Sequence, residues 1–315
     1  MNSIPSVNLK DFLSSDSNKK QQFIDKIGHA YETIGFVALK GHFLEDQLVD
    51  DLYSEIKNFF DLPIATKEKY EIPGINGQRG YVSFGKESAK GKKEGDLKEF
   101  WHFGQYVASD SKYAKEYPKN VTVEELEKFN EVGKKTYQML EKTAMYVLRS
   151  LALHLNLEET YFDKYIINGN SILRPIHYPP IATEPKGAER AAAHGDINLI
   201  TLLMGAHGKG LQVQNHQGQW VDAVAAPDEL MINVGDMLSR HSNNKLKSTI
   251  HRVTNPPKES WGTSRYSIPF FMHPISEMKL DVLENCIDED NPKQFEDITA
   301  GEFLEQRLKE LGLKK

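Results

Sequence analysis

Apolar residues recur at helical spacing through most of the first 160 positions and at every second position from about 170 to 275, so helices precede short strands. Phe23, Ile27, Ala30 and Ile34 share one helical face, and Gly35 releases the chain into the strand-like Phe36-Val37-Ala38-Leu39. A second helix is predicted over about 45–60, ending ahead of Pro63. The longest is predicted after Thr122, an N-cap with Glu125 three residues on, with Leu140, Ala144, Val147, Leu151 and Leu155 as its buried stripe. Strands are predicted over 171–178, 198–203, 211–214, 220–224, 230–234, 249–253 and 266–272, with 235–243 as a turn. Many short strands at such spacing imply a sandwich or barrel. Four regions follow: a helix-and-strand support over 1–120, a long backing helix over 121–168, a β core over 169–280 and a C-terminal helical segment over 281–315, with its helix at 300–311.

Composition narrows the function classes. The 315 residues carry 39 Lys+Arg against 45 Asp+Glu, a net charge of −6, which speaks against a dedicated nucleic-acid binder. Cys286 is the single cysteine, so no intramolecular disulfide and no cysteine-based metal site can form, and its acidic neighbours are expected to raise the thiol pKa. The first residues lack a basic-then-apolar leader, and no run of about 18 apolar residues could cross a bilayer. A cytoplasmic protein acting on a small molecule is expected, without membrane, nucleic-acid or obligate protein partners. From Lys86 to Lys98, five lysines face three acidic residues, and a solvated loop that could serve as a lid is expected.

Chemistry enters at His194-Gly195-Asp196. On a strand, residues i and i+2 share a face, so the imidazole and carboxylate can meet at one ion, though an isolated His-x-Asp among 11 histidines is a weak signal. His251 supplies a third donor. Two histidines and one carboxylate with open positions suit a non-heme Fe(II) oxygenase better than a closed zinc site. Arg265 and Ser267, again i and i+2, offer a guanidinium fork and a hydroxyl to a carboxylate.

With these residues the chain resembles the isopenicillin N synthase-like family of Fe(II)- and 2-oxoglutarate-dependent dioxygenases, from Ile4-Pro5 and Gly35-Phe36 to Arg265-Tyr266-Ser267-Ile268-Pro269-Phe270-Phe271. The resemblance implies a distorted double-stranded β-helix, or jelly roll, with helical support. It places Fe(II) on His194, Asp196 and His251, and the C5 carboxylate of 2-oxoglutarate on Arg265 and Ser267, with Tyr178 contributing. It implies O2 as the oxidant, ascorbate as a further reductant, and oxidation of a small molecule, by default hydroxylation, with release of succinate and CO2. Plant members usually carry Asn two residues before that Tyr; here Ile176 stands there, preceded by Pro175 and Arg174, which leaves open what replaces the amide. Two other readings remain at this point: an iron oxidase that does not use 2-oxoglutarate, and a non-catalytic jelly-roll sensor of carboxylates.

Arg240-His241-Ser242 repeats the Arg-x-Ser pattern, but it precedes His251, whereas the family's pair follows the distal His. Phe271 shares the strand face of Arg265 and Ser267 and is expected to wall the substrate pocket. Further candidates for substrate contact are His273, Arg79, Tyr81, Trp101 and His102, each of which could instead be packed or hydrogen-bonded in the interior. His207 and His216 are expected to be solvated.

Overall fold

The computed structural model describes residues 4–87, 95–185, 188–205 and 210–310. Its first part runs β1 (Ser6–Asn8), α1 (Leu9–Phe12), α2 (Ser17–Thr33), β2 (Phe36–Lys40), α3 (Asp46–Phe60), α4 (Ile64–Glu68), β3 (Gly80–Val82), β4 (Glu99–Gly104), α5 (Glu127–His154) and α6 (Asp163–Ile166). The second part runs β5 (Ile172–Leu173), β6 (Ile176–Tyr178), β7 (Ala191–His194), β8 (Ile200–Met204), β9 (Leu211–Gln214), β10 (Trp220–Asp222), β11 (Leu230–Val234), α7 (Asp236–His241), β12 (His251–Val253), β13 (Arg265–Met272) and α8 (Ala300–Glu310).

Among the described residues the larger sheet runs β1-β2-β11-β8-β13-β5-β4-β3, with β6 paired to β13 and β4, and the smaller runs β10-β9-β12-β7. From β6 onward the chain crosses between the sheets: β6 large, β7 small, β8 large, β9 and β10 small, β11 large, β12 small, β13 large. That winding is the double-stranded β-helix the sequence led us to expect. Alternation along each strand decides which residues face which layer. On β2, Phe36 and Ala38 pack with Leu211, Val213 and Val253 of the smaller sheet, while Val37 and Leu39 join the core shared with the helices. On β13, Ile268, Phe270 and Met272 belong to that helical core, leaving Arg265, Ser267 and Phe271 on the opposite face.

The support helices pack through aromatic residues. Phe59 of α3 stacks on Phe129 of α5 at 4.9 Å, and Trp101 of β4 meets both edge-on. α5 begins at Glu127, and the expected Thr122–Glu125 capping box does not form. Tyr70 takes the Glu125 carboxylate, and Asn130 ties down the entering chain by accepting from Val123 N at 2.9 Å and donating to Val123 O at 2.8 Å.

Three further expectations are corrected. The 171–178 strand is two strands, because Pro175 has no N–H for the ladder, and β5 and β6 separate around it. The 235–243 turn contains α7, and Arg240 on it donates to Glu296 O and stacks against Phe295, with no part in the site described below. The described part of the 86–98 segment is only partly solvated: Lys86 is exposed, but Lys98 is buried and pairs with Glu87 at 2.7 Å and Asp96 at 2.8 Å, a cation held by two anions. Residues 88–94 of that segment, His207 and Leu311 lie outside the described residues, and no helix among those described is long and apolar enough to cross a membrane. The thiol of Cys286 is raised by burial, not by its acidic neighbours in sequence.

Candidate metal centre and cosubstrate pocket

β7 and β12 run antiparallel with His194 directly opposite His251, which brings the two imidazole centroids to 4.5 Å. A carbonyl can only accept, so His194 Nδ1–H donates to Ala192 O at 2.7 Å and His251 Nδ1–H to Thr249 O at 3.1 Å. Both Nε2 lone pairs are thereby free for a metal, and both rings are held in orientation. Asp196 is aimed differently from the expectation. β7 ends at His194, so the carboxylate sits in the following turn and strand alternation does not direct it. Its Oδ2 accepts from Thr201 Oγ1 at 2.6 Å and from Asn233 Nδ2 at 2.8 Å, residues that are register partners on β8 and β11. Oδ1 is left to face His251 Nε2 at 3.8 Å, and the three donor atoms lie within 4.8 Å of one another.

Electrostatics suit a divalent cation. Burial pushes the Asp196 carboxyl up, but His251, His194 and the Asn233 and Thr201 donors outweigh it, holding the group below its ordinary value. His194 is exposed on one side; partial desolvation of its ring first, and then the His251 imidazole, lower its pKa. The imidazole is neutral at neutral pH, the form that can bind a metal.

Arg265 and Tyr178 are cross-strand partners, with the guanidinium 5.2 Å from the ring centroid. Arg265 Nη1 and Nη2 are buried without a partner, and buried Ser267 follows on the same face. Two unsatisfied donors on a cation demand an anion.

The remaining candidates divide. Phe271 is half-buried, and the Arg174 guanidinium lies between its ring, at 5.1 Å, and that of Phe100, at 4.5 Å. His102 is buried: its Nδ1–H donates to Gly77 O at 2.6 Å and its Nε2 accepts from Arg174 Nε at 2.5 Å, so it aims Arg174. His273 is half-buried, and burial first lowers its pKa to about 4, with Asp196 opposing the shift and Arg174 adding to it. Arg79 is fully buried, bonded to Gln78 O and, at 3.3 Å, to Asn170 Oδ1. Tyr81 bonds Glu99, and Trp101 fills the aromatic core, so neither is brought to the triad. His241 is buried and satisfied by Asp281 O and Tyr161 Oη.

Sequence reasoning missed Thr201 and Asn233, although each is a lone polar residue inside an apolar strand, and such a residue must find a partner.

Comparison with known proteins decides the family. Residues 4–125 match the N-terminal region of the non-haem dioxygenases of morphine synthesis, and residues 169–274 match the 2OG-Fe(II) oxygenase superfamily. A 2-oxoglutarate-Fe(II) type oxidoreductase of Aspergillus fumigatus is 30% identical over 97% of this chain and 92% of its own. The chain belongs to the 2OG-Fe(II) oxygenase superfamily. Among solved structures, the oxygenase is similar to a 2OG-Fe(II) oxygenase family protein of Caulobacter crescentus, at 40% identity and a TM-score of 0.90, covering 99% of this chain and 100% of that one. It is also similar to a full-length Neurospora crassa protein solved in complex with alpha-KG, which is 2-oxoglutarate, at 30% identity and a TM-score of 0.84, covering 97% and 96%. It is a 2-oxoglutarate-dependent oxidoreductase that uses iron.

Proposed function

We propose that His194, Asp196 and His251 hold Fe(II), that Arg265, Ser267 and Tyr178 hold 2-oxoglutarate, and that a small-molecule substrate is oxidised, by default hydroxylated, on the side walled by Phe271, His273 and Arg174. The observation that carries this reading is the convergence of two Nδ1-anchored imidazoles and one doubly bonded carboxylate, whose donor atoms lie within 4.8 Å of one another. Bound Fe(II) and 2-oxoglutarate supply the oxidising power, consuming O2 and releasing succinate and CO2. The protein's own part is geometric and electrostatic. Ala192 and Thr249 carbonyls fix the imidazoles, Thr201 and Asn233 fix the carboxylate, and Arg265 sets the direction of the 2-oxo acid by charge-assisted hydrogen bonds.

On the substrate side, Arg174 Nη2 has no partner among the described residues, while Nε and Nη1 are engaged by His102 and Glu87. A substrate that offers a carbonyl or carboxylate oxygen to Nη2 and lies against Phe271 suits that wall; Arg79, Tyr81 and Trp101 are its buried scaffold. The Neurospora protein, also solved in complex with thymine, supports beginning with planar, carbonyl-bearing molecules. A reducing, cytoplasmic setting, where Cys286 stays a free thiol, completes the reading. The test is succinate release from 2-oxoglutarate across a panel of nucleobases, amino acids and other carboxylates. At least one compound stimulates release, and Arg265→Met raises the 2-oxoglutarate concentration needed. Unchanged 2-oxoglutarate dependence in that variant contradicts the assignment of Arg265.

A further inference from the structure

Arg190 lies one residue ahead of β7 and four residues from His194, and the register of β7 against β12 shifts between Ala191 and His194. Arg190 is buried, and its Nε has no hydrogen-bond partner. Nη2 reaches Thr263 O at 3.5 Å, the limit of a hydrogen bond. The guanidinium lies 5.6 Å from the Tyr178 centroid, and that of Arg265 lies 5.2 Å from the same ring. The two cations are close enough to act on each other: burial first, and then Arg265, lower the Arg190 pKa. Among the described residues neither forms an ion pair with a carboxylate.

Two like charges beside one aromatic ring, with three of their buried guanidinium nitrogens unsatisfied, are unfavourable unless an anion joins them. Ring stacking on Tyr178 explains the position of one cation, not the missing counter-ion of two. Arg190 precedes a strand of the smaller sheet, whereas Arg265 opens a strand of the larger one. An anion held by both ties the two sheets together at this end of the pocket.

We propose that Arg190 is the second guanidinium of the cosubstrate pocket, gripping with Arg265 the carboxylate of 2-oxoglutarate that points away from the metal. The pocket thereby selects a 2-oxo diacid over a 2-oxo monoacid. This role for Arg190 rests on the placement of 2-oxoglutarate against Arg265 proposed above.

The test compares 2-oxoglutarate with 2-oxopentanoate, which has the same five carbons but no distal carboxylate. Each is titrated calorimetrically into the Fe(II)-loaded protein without oxygen, using wild type, Arg190→Met and Arg190→Lys. Wild type prefers the diacid, Arg190→Met loses tenfold or more of that preference while its affinity for the monoacid stays the same, and Arg190→Lys lies between. A variant that weakens both acids equally, or neither, shows Arg190 to be structural and overturns the proposal. Should Arg190→Met fail to give a cooperative melt, Arg190→Lys decides alone: threefold or greater loss of preference supports the role, and an unchanged ratio refutes it. If wild type binds neither acid, the site reading falls and this inference with it; if wild type prefers the diacid and the variants keep that preference, only Arg190 is misassigned.

Discussion

Replacing Thr201 by Val removes the shorter of two hydrogen bonds on Asp196 Oδ2, at 2.6 Å, without changing side-chain volume. Asn198 Nδ2 loses Thr201 Oγ1 as an acceptor but keeps Ile200 O at 3.0 Å, so no buried donor is stranded. The change therefore acts on the carboxylate. A hydrogen bond to a charged acceptor contributes about 1.5–3 kcal/mol, and each 1.4 kcal/mol is about tenfold in affinity. Asn233 still holds the same oxygen at 2.8 Å, which places the loss near the lower end, about tenfold in Fe(II) affinity. Asn233→Leu has a similar effect, and the double variant is non-additive because both donors share one oxygen. Competition for Fe(II) against a chromophoric chelator under argon measures this. Wild-type affinity in both single variants refutes the view that these donors hold Asp196 for the metal.

Other outcomes follow from the same structure. His241 is buried and neutral with a pKa of about 4, against about 6.5 unfolded, so its contribution is fully present above pH 6.5 and is lost as pH falls toward 4, by about 3 kcal/mol. Urea unfolding at pH 7 and pH 4.5 shows a smaller loss in His241→Gln than in wild type. Trp101→Ala empties the site packed by Phe59, Phe103 and Phe129 and lowers stability by about 3–5 kcal/mol, read by chemical denaturation. Under the proposed substrate placement Arg174→Met raises the substrate KM, since its Nη2 has no partner among the described residues, while 2-oxoglutarate affinity stays the same; a change in cosubstrate affinity instead places Arg174 in the other subsite.

The residues proposed to hold the metal were legible in the sequence because each had to be one of a few side chains. His194, Asp196, His251 and Arg265-x-Ser267 are recognisable by type and spacing. What supports them was not, because it depends on pairing across the sheet. Thr201 meets Asn233 only through the β8–β11 register, and Arg190 meets Arg265 only because both approach Tyr178 from different sheets. The apparent strand logic of His-x-Asp named residues that the structure does bring together, but for an incomplete reason, since the carboxylate sits past the strand end. Local signals also lost to tertiary contacts. Glu125 is bonded by Tyr70 instead of a capping box, and the Lys98 charge is buried by two acidic partners that a linear count treats as solvated.

Whether three side chains share one ferrous ion is tested most directly by anaerobic titration of Fe(II) and 2-oxoglutarate, followed by the weak visible charge-transfer band of the ternary complex. The expected result is one iron per chain in wild type and no band in His194→Ala, Asp196→Ala or His251→Ala variants that melt cooperatively. A band of wild-type intensity and stoichiometry in His251→Ala would place the iron elsewhere.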